Sequence, residues 1–176
     1  MKLKIAVCVA FAVLLQTTLP RFWGPLVFVD LPLIIVTYFA LRRDVVLALI
    51  VGCVTGLATD AFSGGLLGAN GFTKTLIAYL IAALVTRVML DNPLVRIPVI
   101  AGAAALDGVV FFLAHQILGQ RPLPPFVETV AYKLIATTVV GTFTFYLLDV
   151  FFSERARMRR QFAFRRRAAR RSLVRR

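Results

Sequence analysis

The chain has 176 residues, 60% hydrophobic and only 16% charged, against about 25% charged in an ordinary soluble domain. Of its 21 lysines and arginines, 11 are arginines within residues 153–176, where Glu154 is the single acid, so the formal charge of +13 belongs mostly to the tail. A hydrophobic body with a basic tail argues against a soluble nucleic-acid-binding domain and for a membrane protein.

The opening MKLKIAVCVAFAVLLQTTLP resembles a secretory signal, with a short basic lead and an apolar core. QTTLPRFW follows it in place of a small-x-small cleavage site, and Val7 occupies the small-residue position of a lipoprotein-like IAVC box. The stretch therefore reads as an uncleaved first span. Apolar runs continue at 26–41, 45–62, 69–90, 97–118 and 126–152, giving six spans with the first at 3–19. A membrane helix needs roughly 20 apolar residues, so the second run, which contains Pro32, is the shortest candidate. Breaks fall at Pro20 and Gly24-Pro25, at RRD 42–44, SGG 63–65, DNP 91–93 and GQRPLPP 119–125. Connections this short place neighbouring helices antiparallel. The expectation is an all-α integral membrane protein, with one six-helix domain over 1–152 and a basic cytoplasmic tail over 153–176, amphipathic or disordered.

Basic residues near the span ends set the orientation. With both termini cytoplasmic, Lys2, Lys4, Arg42, Arg43, Arg87 and Arg96 lie inside, and only Arg21 and Arg121 lie outside. Cys8 and Cys53 sit in apolar runs and read as core residues; His115 is the single histidine. No metal centre, cofactor site or catalytic constellation is expected.

Charges inside spans need a partner, water or protonation, since insertion scales put an Asp or Lys at mid-span at roughly +2.5–3.5 kcal/mol. Gly52, Gly56 and Asp60 recur at i, i+4 and i+8, a small-residue face that directs Asp60 into the bundle. Asn70 and Lys74 are likewise i, i+4 beyond a Ser63–Gly68 turn that includes Gly64. An Asp60–Lys74 contact is expected, direct or through Asn70, as a clasp of the hairpin or as a contact for a ligand, ion or partner. Asp107, in AGAAALDG 101–108, takes Lys133 as its candidate partner; His115 lies two turns further along the same face. Asp30 and Glu128 are expected at the outer interface, in reach of water. The glycines of 64–71 are not a phosphate loop, because GxxxxGK[ST] is absent.

In the tail, Met158, Phe162, Ala169 and Leu173 share roughly one helical face. Arg159, Arg160, Arg165, Arg166 and Arg167 become candidates for contact with anionic lipid headgroups, at about 1 kcal/mol per arginine near the surface. Nucleic acid is not an expected partner.

VDLPLIIVTYFAL at 29–41 and GCVTGLATDAFSGGLLGANGFTKTLIAYLIA at 52–82 resemble the rod shape-determining membrane protein family MreD. The matching positions are Asp30, Gly52, Gly56, Leu57, Asp60, Ser63, Gly64, Leu67, Gly68, Tyr79 and Leu80. Val29 stands where the family places a proline before the acid, and the arginine tail is longer than the family leads one to expect. The resemblance implies a non-enzymatic scaffold or regulator of cell elongation in the bacterial inner membrane. It further implies direct binding to MreC within a complex of MreB, RodA and a class B penicillin-binding transpeptidase that builds peptidoglycan. It also implies a fold similar to the substrate-binding component of energy-coupling-factor transporters. A transport component capturing a small molecule in the outer half of the bundle is thus the alternative, with AVCVA at 6–10 as its slight sequence support.

Overall fold

The structure, a computed structural model, describes residues 2–18, 24–42, 44–63, 67–87, 95–117 and 126–173; the side chains of 151–173 and of Lys2, Lys4, Pro25, Leu26, Arg87, His115 and Phe126 lie outside the described set. Six α-helices make up almost all of the described residues: α1 Lys2–Thr18, α2 Leu31–Ala40, α3 Val45–Ser63, α4 Ala69–Arg87, α5 Arg96–Ile117 and α6 Phe126–Leu173. The chain falls into two compact units, Met1–Thr142 and Phe143–Arg176; the second is, as far as it is described, a helical run ending at Leu173.

Among the described residues four helices are long and apolar enough to cross a membrane, at Val45–Ser63, Ala69–Thr86, Arg96–Ala114 and Val127–Val150; α1 and α2 are shorter. The second expected span departs most from expectation. In place of one helix over 26–41 there is a 3₁₀ turn, Gly24–Phe28, followed by a helix of only 10 residues. Asp30 makes the break. Its side chain caps α2 by accepting from the Leu33 amide at 2.9 Å, and Pro32 sits in the first turn, where a missing N–H costs nothing. Ten helical residues rise about 15 Å, half of a hydrocarbon core.

Every residue of α2 from Pro32 to Ala40 is buried. Its lack of a polar side therefore reflects a helix enclosed by protein, whose apolar surface meets neighbouring side chains. Beyond its C-terminal end, Arg42 lies 5.0 Å over the Tyr38 ring and donates to the Tyr38 hydroxyl at 2.9 Å, which puts a cation where the helix dipole favours one. Asp44 then starts α3 by accepting from the Leu47 amide at 3.0 Å.

The glycine face of α3 is filled by α4. A Cβ on Gly52 would lie 2.8 Å from the Lys74 carbonyl oxygen and 3.0 Å from the Ala78 Cβ; on Gly56 it would overlap the Asn70 carbonyl and lie 2.6 Å from the Gly71 Cα. The backbones touch, which a side chain at either position prevents.

A methyl group at Gly56 meets main chain, which cannot swing aside. Gly56→Ala is expected to lower unfolding stability in detergent by about 3 kcal/mol. Gly102, with open space around its Cβ position, is the control: Gly102→Ala should change stability by about 0.5 kcal/mol or less. Equal thermal midpoints for the two variants would contradict the packing described.

Candidate functional site: a ring of buried charges beneath a cavity

Asp60 occupies the last turn of α3, and α4 begins at Ala69 with the turn residues Leu67 and Gly68 before it. A helix start leaves its first amides without intrahelical acceptors. Gly68 has no side chain to supply one, and its φ of +97° is a conformation suited to glycine. Asp60 supplies the acceptors instead. Its Oδ2 accepts from the amides of Gly68 at 2.9 Å and Gly71 at 3.0 Å; its Oδ1 accepts from the Asn70 amide at 3.2 Å and the Asn70 side-chain Nδ2 at 2.9 Å. The carboxylate is thus compensated by four donors and by the positive end of the α4 dipole. Ser63 is exposed and its hydroxyl donates to the Asp60 carbonyl at 3.4 Å; Gly64 lies outside the described residues.

Asn70 passes the connection on. Its Oδ1 accepts from Lys74 Nζ at 3.2 Å, so Asp60 and Lys74 are joined through the amide. The ammonium does not reach outward to water: Lys74 is fully buried. It donates to Asp30 Oδ2 at 3.0 Å and lies 3.6 Å from Asp107 Oδ1, an oxygen with no hydrogen bond among the described residues. Lys133 completes the figure, pairing with Asp30 Oδ2 at 3.1 Å and donating to Asp107 Oδ2. Two acids and two lysines alternate in a closed ring, each lysine bridging both acids. The four come from the N-cap of α2 and from α4, α5 and α6.

Asp30 corrects the expectation of an interfacial, hydrated acid. It is 8% exposed, because the helix it caps is interior, and both lysines converge on it. Glu128, in the first turn of α6, is exposed. Two residues without a mark in the sequence pin the Asp30 segment: the Thr137 hydroxyl accepts from the Asp30 amide and donates to the Phe28 carbonyl, both at 3.2 Å, and Gln16 Oε1 accepts from the Leu31 amide at 2.9 Å. Only the break in apolar character at Asp30 signals this corner in the sequence. The His115 side chain and those of Arg159, Arg160, Arg165, Arg166 and Arg167 lie outside the described residues.

A cavity of about 670 Å³ lies against this corner. Its walls are mainly apolar, with Val27, Phe28, Phe62, Phe111, Phe112 and Val130; Asp30, Asn70 and Lys133 bring polar atoms to it, along with Gln16. Lys133, with 20% of its side chain exposed, is the one lysine of the ring that lines the cavity.

These contacts give two expectations. Asp60→Asn replaces one acceptor oxygen with an NH₂ that must face amide donors, which should cost about 2 kcal/mol and lower the folded yield; an unchanged thermal midpoint would rule out the capping role. Lys133→Met leaves two buried acids with one cation and should destabilise by about 3–5 kcal/mol. Adding Asp107→Leu restores neutrality around Asp30–Lys74 and should recover about 2 kcal/mol of that loss; strictly additive losses in a double-mutant cycle would refute the ring.

No curated protein and no solved structure matches the chain. A family model described as rod shape-determining protein MreD matches residues 1–151, which hold all four residues of the ring and every residue lining the cavity. With most of its length matched and four helices fit to cross a membrane, the chain belongs to the MreD family of rod shape-determining proteins.

Proposed function

We propose that this protein is a non-enzymatic scaffold of the cell-elongation machinery, which binds MreC in the bacterial inner membrane and through it helps to control peptidoglycan synthesis. The observation that carries this reading is the family match over residues 1–151. The geometry supports a scaffold in a specific way. The four charges of its ring are spent on one another, and the α3–α4 hairpin is closed by contact between backbones. A body held this firmly offers partners a surface of fixed shape. Because Gly52 and Gly56 face α4, partner contact falls to outward faces such as that of α3 with Val46, Ile50, Val54 and Leu57.

The membrane arrangement proposed has six crossings with both termini cytoplasmic. The 3₁₀ turn Gly24–Phe28 and α2 together supply the second crossing. Lys2, Lys4, Arg42, Arg43, Arg87 and Arg96 then face the cytoplasm, with Arg21 and Arg121 opposite. The arginine tail meets anionic lipid, and the wider complex comprises MreB, RodA and a class B penicillin-binding transpeptidase. The family match favours this reading over a transport component.

Co-purification provides the test. The affinity-tagged full chain, extracted gently from its native membrane, should retain MreC, and depletion of the chain should turn rod-shaped cells round. Recovery of an ATP-hydrolysing coupling module in place of MreC, with cell shape unaffected, would overturn the proposal.

A further inference from the structure

The walls and base of the cavity ask for different things. The walls suit a hydrocarbon chain. At the base most hydrogen-bonding capacity is already used. Asp30 Oδ1 accepts from Leu33 and its Oδ2 receives both lysines. The Asn70 side chain donates to Asp60 and accepts from Lys74. The hydroxyls of Thr59 and Thr17 donate to carbonyls in their own helices, at 2.8 and 3.0 Å.

Two donors are left. Lys133 gives one N–H to Asp107 and one to Asp30; among the described residues its third has only the face of Phe111, 5.9 Å away. Gln16 uses its oxygen on Leu31, and among the described residues its amide nitrogen has no hydrogen-bond partner. Both residues line the cavity. An occupant that satisfies them presents an oxygen acceptor on an apolar body. The charge ring is already neutral, so an anionic acceptor would leave a net buried charge, a costly state. The acceptor is therefore uncharged.

Depth selects among uncharged acceptors. Lys74 lies five positions past the start of α4 and Lys133 seven past the start of α6, roughly 7.5 and 10 Å along their helices. A bilayer's polar zones are each about 5–8 Å deep. The ring thus sits near the level where the ester carbonyls of glycerolipids lie, with the aliphatic solvent of the membrane beside it.

We propose that the cavity is a lipid site, in which an acyl chain of an ester-linked glycerolipid occupies the apolar walls and its ester carbonyl accepts from Lys133 and Gln16. The site rests on the cavity and the membrane setting and is independent of MreC.

The test uses the full chain in bilayer discs, with Trp23→Phe and Phe112→Trp leaving a single fluorescent reporter in the cavity wall. The discs consist of ether-linked phosphatidylcholine. Into them is titrated a phosphatidylcholine brominated on one chain, either ester-linked or its ether-linked analogue, which lacks the carbonyl. The ester lipid should reach half-maximal quenching at a mole fraction about fivefold lower than the ether lipid, the effect of one good hydrogen bond. Gln16→Glu keeps the oxygen that serves Leu31 and removes the amide donor; it should at least halve that preference, with the thermal midpoint recorded alongside to confirm folding. Coincident ester and ether curves in the unaltered cavity would overturn the proposal, as they would if only bulk lipid, or a water-soluble molecule, reached the reporter. An ester preference fully retained in folded Gln16→Glu would likewise remove Gln16 from the site.

Discussion

Burying a charge in a membrane protein is tolerable only when its partners are buried with it, and the alternating ring of Asp30, Lys74, Asp107 and Lys133 meets that condition collectively. No member could be buried with one partner alone at comparable cost, because each lysine serves two acids and each acid two lysines. The ring draws on four elements of the chain. Its geometry is therefore satisfied only when those elements have assembled, which makes it a specifier of arrangement as much as a source of stability.

The helices around the ring follow from it. Asp30 must sit inside, so the second span cannot be one continuous helix; it starts afresh at the acid and runs for 10 residues through the interior. Lys74 must sit inside too, and the path of α4 that brings it there runs against Gly52 and Gly56 of α3. Asp60, adjacent to the ring through Asn70, terminates the same network with backbone amides in place of a cation. Charge, close packing and helix capping thus form one connected system at one end of the bundle, and the cavity opens against that system.

Much of this was legible in the sequence where periodicity and chemistry are local. The apolar runs mark α1, α3, α4 and α5 to within a few residues, whereas the second run breaks at Asp30 and α6 continues past its apolar part to Leu173. The spacing of Gly52, Gly56 and Asp60 points to a face that another helix approaches. Asp107 and Lys133 stand out because each is a lone charge in an apolar stretch. Less legible were features that depend on three-dimensional convergence. Asp30 resembles an interfacial acid because it follows a turn, and only the assembled bundle shows both lysines reaching it. Asp60 reaches Lys74 through Asn70, one of the two routes expected, but three of its four donors are main-chain amides, which have no letter in a sequence. Thr137 and Gln16 look like ordinary polar residues in their helices, and their roles come from the exposed backbone of residues 28–31 that they meet.

The cap that Asp60 places on α4 has a consequence for biosynthesis. Most helices carry their own start signal in the residue before the first turn; here that residue is Gly68, and the signal is stored in the previous helix, eight positions upstream. During synthesis the acid has already emerged when the amides it will bind are made. The start of α4 is thus defined only once α3 stands beside it, and the turn between the two helices is set by the segment ahead of it. A helix that borrows its beginning in this way cannot be moved to another context as an independent part; α3 and α4 constitute a single inheritable unit of structure.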